Sequence, residues 1–189
     1  MSRKEYSASA VKHAFWFMEF RKVVSLRSKG ESWEEIKRLS EDENIFGAPT
    51  SLRANQIFNT VSARVKSLDD SFYPVFEECD LASQKLFVLV AAMTYDVLFG
   101  ELMYELVREK MIIGSNELSD SDLRIFFKNK QQQSDKAAMW TEATIKKLMV
   151  TYKSMLYDAG VTNKAKDVRE IYKPLPEPAM ERWMKDQGM

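Results

Sequence analysis

Hydrophobic positions recur at three- and four-residue spacings along most of this chain, which predicts one helix after another. Residues 9–29 form the first, with Val11, Phe15, Met18 and Val23 among its apolar positions and Phe15-Trp16-Phe17 in the core. Gly30 ends it. Ser32-Trp33-Glu34-Glu35 has capping-box spacing and opens a second helix to about Leu39, with Trp33, Ile36 and Leu39 facing in. Gly47-Ala48-Pro49 reads as a turn, after which Thr50 or Ser51 can cap a third helix. There Ala54, Ile57, Phe58, Val61, Val65 and Leu68 gather on one side. Asn55, Gln56, Asn59, Thr60, Ala63 and Lys66 gather on the other, with Arg53 and Arg64 on the flank.

Residues 69–80 are a linker or short helix containing Pro74. Residues 81–113 are the most apolar part and predict a buried core helix, bent or broken near Gly100. Its charge-free run covers only residues 86–95 and is followed by Asp96, Glu101, Glu105 and Arg108. A membrane span needs about 18 to 20 predominantly apolar residues, and an Asp at its centre is costly, so no span is expected. Ser119-Asp120-Ser121-Asp122 caps a helix carrying Leu123, Ile125, Phe126 and Phe127. Residues 134–139 form a short helix, Trp140-Thr141 a tight turn, and residues 142–158 a long helix capped by Thr141. Ile145, Leu148, Met149, Tyr152, Met155 and Leu156 make its apolar stripe; Thr144, Lys147, Thr151 and Ser154 lie opposite, flanked by Lys146. Gly160 stops it. Val168-Arg169-Glu170-Ile171-Tyr172 then alternates like a strand, so a small β-hairpin wing could lie near residues 162–173. Pro174, Pro176 and Pro178 precede a short tail helix.

The pattern therefore predicts an all-α fold: a compact helical protein with two helix-turn-helix-like elements. The first sits in an N-terminal subdomain of residues 1–74, although its connection at residues 40–49 is longer than a tight turn. The second sits with the core helix and tail in residues 75–189. Composition adds an ordinary globular balance of 45% hydrophobic and 30% charged residues. Lys and Arg total 28, as do Asp and Glu, so a nucleic-acid surface must come from segregation of charge. Three places segregate it. Residues 44–68 contain no acid. Before Gly30, basic residues at 3, 4, 12, 21, 22, 27 and 29 face only Glu5 and Glu19, a balance of +5. Basic residues 124, 128, 130, 136, 146, 147 and 153 face Asp135 and Glu142, again +5.

Arg and Lys bind phosphate or guanine, and Asn and Gln can pair bidentately with adenine. The candidate DNA contacts are therefore Arg53, Asn55, Gln56, Asn59, Thr60, Arg64 and Lys66 on the third helix. Thr144, Lys146, Lys147, Thr151 and Lys153 are those on the 142–158 helix. An ordinary surface helix also has a polar outer face, so the pattern alone leaves both readings open. His13 is the only histidine, which excludes His-based triads and multi-His metal sites. No phosphate-binding GxxxxGK[ST] loop or GxGxxG fingerprint is present. No catalytic, metal or cofactor residue is expected, and the chain reads as a binding protein, not an enzyme. Cys79 stands alone, and the N-terminus has no secretory h-region. A soluble cytoplasmic protein, monomeric by itself, is the expectation.

Several blocks together resemble the BrxA family of bacteriophage exclusion (BREX) phage-defence systems. They are residues 15–20 (FWFMEF), 43–49 (ENIFGAP), Arg53 with 57–68 (IFNTVSARVKSL), 119–127 (SDSDLRIFF) and Trp140-Thr141 before the last long helix. The likeness covers most of the chain up to Gly160, and the 43–68 block is its most specific part. It implies an all-helical cytoplasmic protein with helix-turn-helix elements that binds double-stranded DNA without being an enzyme. It also implies work beside a DNA methyltransferase and other BREX proteins that mark host DNA and block phage replication. Family members have been labelled inner-membrane proteins; the short charge-free run argues against that here. Two other roles stay open: an assembly or adaptor protein docking through its aromatic N-terminal helix or 162–178 tail, and a regulator of its own operon.

Overall fold

A computed structural model describes residues 5–189; Arg3 and Lys4 of the basic N-terminal stretch lie outside them. The protein is mostly helical with one small antiparallel sheet, as the apolar spacing predicts. A 3₁₀ turn over Ser9–Lys12 precedes α1 (Phe17–Ser28), α2 (Trp33–Asp42), α3 (Ser51–Lys66), α4 (Phe72–Glu78) and α5 (Leu81–Tyr95). Then come α6 (Val97–Leu102), a π-helical stretch Met103–Val107, α7 (Arg108–Ile112) and β1 (Glu117–Ser119). The chain continues through α8 (Asp120–Gln133), α9 (Asp135–Ala138), α10 (Glu142–Asp158), β2 (Val168–Glu170) and α11 (Pro178–Asp186).

These elements divide into two compact units along lines different from the expected 1–74 and 75–189. One unit is residues 16–91 with 175–189; the other is residues 5–15 with 92–174. In the first, Phe20, Val23, Val24, Ile36, Val61, Val65, Phe72 and Phe87 form a core from which water is excluded. The tail joins it through α11, whose Trp183 ring lies 5.3 Å from Phe87 and whose indole N–H donates to Ser71 Oγ at 2.9 Å. Truncating an aromatic as buried as Phe72 removes both transfer energy and packing, costing about 3–5 kcal/mol.

The predicted first helix is broken. After the Ser9–Lys12 turn, residues 13–16 are non-helical and α1 begins only at Phe17. Trp16 adopts the left-handed conformation at φ 54°, which turns the chain and buries its ring. The second helix keeps half of its capping box. Ser32 accepts the Glu35 N–H at 3.0 Å, while the Glu35 carboxylate turns to Arg38 in a bidentate pair instead. Thr50, not Ser51, caps α3 by accepting from Arg53 N–H.

In the second unit the core helix breaks at Asp96, four residues before Gly100. Asp96 leaves helical geometry and accepts the Leu98 and Phe99 N–H groups, capping α6. Gly100 has a different duty: a Cβ there would lie 2.8 Å from the Met93 carbonyl oxygen. No single described helix is long and apolar enough to cross a membrane; α5 and the segment after Asp96 reach that length only together. Lys130, counted above as basic surface, is fully buried and donates to Glu101 and Glu105 at 2.6 and 2.7 Å. Burial works against its charge, but the two carboxylates outweigh it and hold its pKa above the usual lysine value.

Candidate nucleic-acid interface

The long helix α10 is capped at its N-terminus and packed along one side. Thr141 accepts the Thr144 N–H at 3.2 Å, closing the tight turn after α9. Leu148, Met149, Tyr152, Met155 and Leu156 point into the core. Tyr152 stacks on Phe127 at 6.1 Å, lies 4.8 Å from Phe99, and donates its hydroxyl to Asp96 Oδ2 at 2.8 Å. Burial, with the Asp96 carboxylate beside it, pushes the Tyr152 pKa well above its usual value, so it stays a neutral donor. The residue that breaks the core helix thus also fixes the rotation of α10.

With that side committed, Lys146, Lys147, Val150 and Ser154 are exposed, and Thr144 and Thr151 are half-buried beside them. Lys153 is not part of this surface. Only 13% of its side chain is exposed, and it donates to Asp120 at 2.6 Å and to the Lys166 carbonyl at 3.2 Å. The expected phosphate contact is instead a tie between α8, α10 and the loop beyond.

Where a small β-hairpin wing is expected near residues 162–173, the chain makes a short antiparallel return with one isolated bridge, and its strand β2 joins a two-stranded sheet with β1 instead. Asn163 N–H donates to Glu170 O and Tyr172 N–H to Val161 O, with a bridge between Thr162 and Ile171. On its other edge β2 pairs antiparallel with β1, Leu118 opposite Arg169. Arg169 and Ile171 take the buried phase, while Val168, Glu170 and Tyr172 face out. The Arg169 guanidinium donates to the Lys153 carbonyl at 2.5 Å and approaches Thr162 Oγ1 at 3.4 Å, pinning the return to α10. The loop it anchors exposes Lys164 and Lys166.

Between α8 and α10 runs a groove of about 540 Å³. Phe127, Ile145 and Met149 form its floor, and Arg124, Lys128 and Lys146 its cationic lining, with Asp120 and Glu142 as counter-charges. Of the seven basic residues in this region, Lys130, Lys136 and Lys153 are held in ion pairs. That leaves Arg124, Lys128, Lys146 and Lys147. The return after α10 adds exposed Lys164, 5.5 Å from the Tyr157 ring, and exposed Lys166.

The α3 candidates fare differently. Thr60 is 4% exposed and Arg64 2% exposed, so neither can reach DNA. Against the Arg64 guanidinium lies the Trp16 ring, 5.7 Å away, and the same ring is 5.0 Å from the guanidinium of Arg53. Half-buried Arg53 also donates to Gln56 at 2.5 Å. Lys66 sits 4.4 Å above the Trp33 ring. Asn55 and Gln56 are half-buried, and Asn59 alone among these three amides is exposed. Aromatic rings thus take up the basic residues of this helix, Arg64 fully buried, Arg53 half-buried and Lys66 still exposed.

The geometry defines a mostly helical protein in which the α8–α10 groove is lined by Arg124, Lys128 and Lys146 and a short antiparallel return follows α10. The chain belongs to the BrxA family, whose profile matches residues 4–188. It is 39% identical over 170 residues to the "BREX protein BrxA" of Bacillus cereus (strain H3081.97), covering 90% of this chain and 85% of that one. The fold is similar to the crystal structure of an uncharacterized protein from Magnetospirillum magneticum. There the TM-score is 0.80 at 14% identity, over 98% of this chain and 94% of that one.

Proposed function

We propose that this chain is a non-enzymatic double-stranded-DNA-binding component of a BREX-type phage-defence system, working in the cytoplasm beside other BREX proteins. Its family and the name of its Bacillus cereus relative support the system. The single observation that supports DNA binding is the open face of α10. Lys146 and Lys147 stand exposed on a helix whose opposite side is locked into the core. A return carrying exposed Lys164 and Lys166 is pinned beside it by Arg169. We read the order β1–α8–α9–α10–return as a winged version of a helix-turn-helix, with α10 as the helix that enters the major groove. Thr144 and Thr151 then approach base edges or sugar, the lysines take phosphates, and the loop of the return reaches the neighbouring backbone. Arg124 and Lys128 extend the same positive field along α8.

The test is a salt titration of duplex binding. The affinity of the full chain should fall steeply with salt, with a log–log slope of about −0.9 for each phosphate contacted. An affinity that does not change between low and moderate salt would exclude a phosphate-binding surface.

A further inference from the structure

The 43–49 block lies outside the face assigned to DNA, and its construction points elsewhere. Asn44 is held left-handed at φ 48°. Its side chain donates to Ala48 O at 2.9 Å and accepts Ala48 N–H at 2.8 Å, while Gly47 N–H donates to Asn44 O at 2.8 Å. Lys22 of α1 reaches across and donates to the Ile45 carbonyl at 2.8 Å. The loop is therefore stapled within itself and to α1. Yet Ile45 and Phe46, which it carries, are only half-buried. A loop made this rigid presents apolar side chains already ordered, which lowers the entropy lost on binding.

They face a groove of about 440 Å³ along α1, shared with Leu26 and Met18, the latter 64% exposed. Met18, Lys22 and Leu26 follow the i, i+4, i+8 row, so the open wall is about 12 Å long, or roughly two turns of a docked helix. Arg21, Lys22 and Lys29 line it against one acid, Glu19. Among the described residues no carboxylate pairs with Arg21, Lys22 or Lys29.

We infer that this groove docks an acidic amphipathic helix of a partner protein. Large apolar side chains of that helix would rest on Met18, Leu26, Ile45 and Phe46, and its flanking carboxylates would meet Arg21, Lys22 and Lys29. Duplex DNA fits the charge but not the floor, because phosphates gain nothing from half-exposed Ile, Phe and Met, and Glu19 repels them. A second copy pairing through this same groove would bring Arg21, Lys22 and Lys29 against their own counterparts, with Glu19 as the one acid in the lining to offset them. The inference does not depend on the DNA reading, since it uses none of the α10 residues.

Photo-crosslinking in host cells tests it, with p-benzoylphenylalanine in place of Phe46 in the full chain and, as background, in place of exposed Lys37 on α2. The expected result is a protein adduct from position 46 that is absent from position 37. Mass spectrometry should map it to a segment in which Asp or Glu flank large apolar residues. Arg21→Glu with Lys29→Glu in the same chain should reduce the adduct at least tenfold; these substitutions keep the Lys22 hydrogen bond, and circular dichroism checks that the helices remain. An adduct to DNA, to this same chain, or to a segment without acidic residues overturns the inference. So does a yield at position 46 no higher than at position 37, or one indifferent to the double charge reversal. Lost duplex affinity in the α10 variants would leave this result untouched, so the two readings fail separately.

Discussion

Helices α3 and α10 carry nearly the same pattern, an apolar stripe opposite a stripe of amides, hydroxyls and lysines. Yet α3 withdraws Thr60 and Arg64 from solvent and leaves only Asn59 and Lys66 of its polar side exposed, whereas α10 keeps Lys146, Lys147 and Ser154 exposed. In α3, Trp16 lies between two arginines and Trp33 lies under Lys66. These rings come from segments before α1 and at the start of α2, so the cover is supplied by chain distant in sequence. In α10, Phe99 and Phe127 pack against Tyr152 on the core side, and on the outer side Lys164 lies over the exposed Tyr157 ring at 5.5 Å. A basic residue next to an aromatic ring is attracted by the ring's face and is worth more when desolvated. The lesson is that arginine on a polar helix face signals nucleic acid only when no tryptophan is placed to cover it.

The strongest way to break this contrast is Arg64→Glu. Reversing a charge at a 2% exposed site beside Trp16 should cost about 3–5 kcal/mol in chemical denaturation. If the variant unfolds at the wild-type midpoint and loses only DNA affinity, Arg64 is surface machinery and the contrast is wrong. Lys146→Glu with Lys147→Glu comes next. Stability should stay within about 0.5 kcal/mol of wild type. The duplex affinity should fall at least tenfold, and the log–log salt slope should flatten by about two units. Tyr152→Phe removes the hydroxyl that fixes α10 to Asp96 and leaves that acceptor with one partner fewer. Its expected cost is about 1 kcal/mol, read as a lower denaturation midpoint.

Acid titration sharpens the second unit further. Burial pushes the Asp122 carboxyl up, but bonds from Lys110 and from Ser119 side chain and backbone outweigh it and hold it below its ordinary value. A pKa lowered in the folded state contributes stability that is present above about pH 3.9 and lost as pH falls through the folded value. Asp122→Asn should therefore flatten the acid side of the stability–pH curve, measured by denaturant midpoints from pH 6 down to pH 2.5. The smallest effect belongs to Lys66→Glu. With its ammonium over Trp33, it should change duplex affinity less than about twofold at moderate salt.

Sequence by itself determined the helical class, most helix starts, the basic segregation near residues 124–153 and the family. These follow from local rules. Apolar residues three and four apart make a stripe whatever the fold, and Ser32, Thr50, Ser119 and Thr141 cap because their oxygens lie within reach of N–H groups only two or three residues on. The likelihood of a strand near residue 170 was also legible, in the alternation of Val168-Arg169-Glu170-Ile171-Tyr172. What periodicity could not supply was pairing at a distance. Trp16 adopts a left-handed turn and covers α3; Asp96 breaks the core helix and fixes Tyr152 56 positions away; the tail helix α11 returns to the first unit. Lys130 and Lys153 read as surface charge until Glu101, Glu105 and Asp120 are brought to them. Tertiary structure decided which polar faces stay open, because covering a face depends on residues far along the chain and not on the helix that bears it.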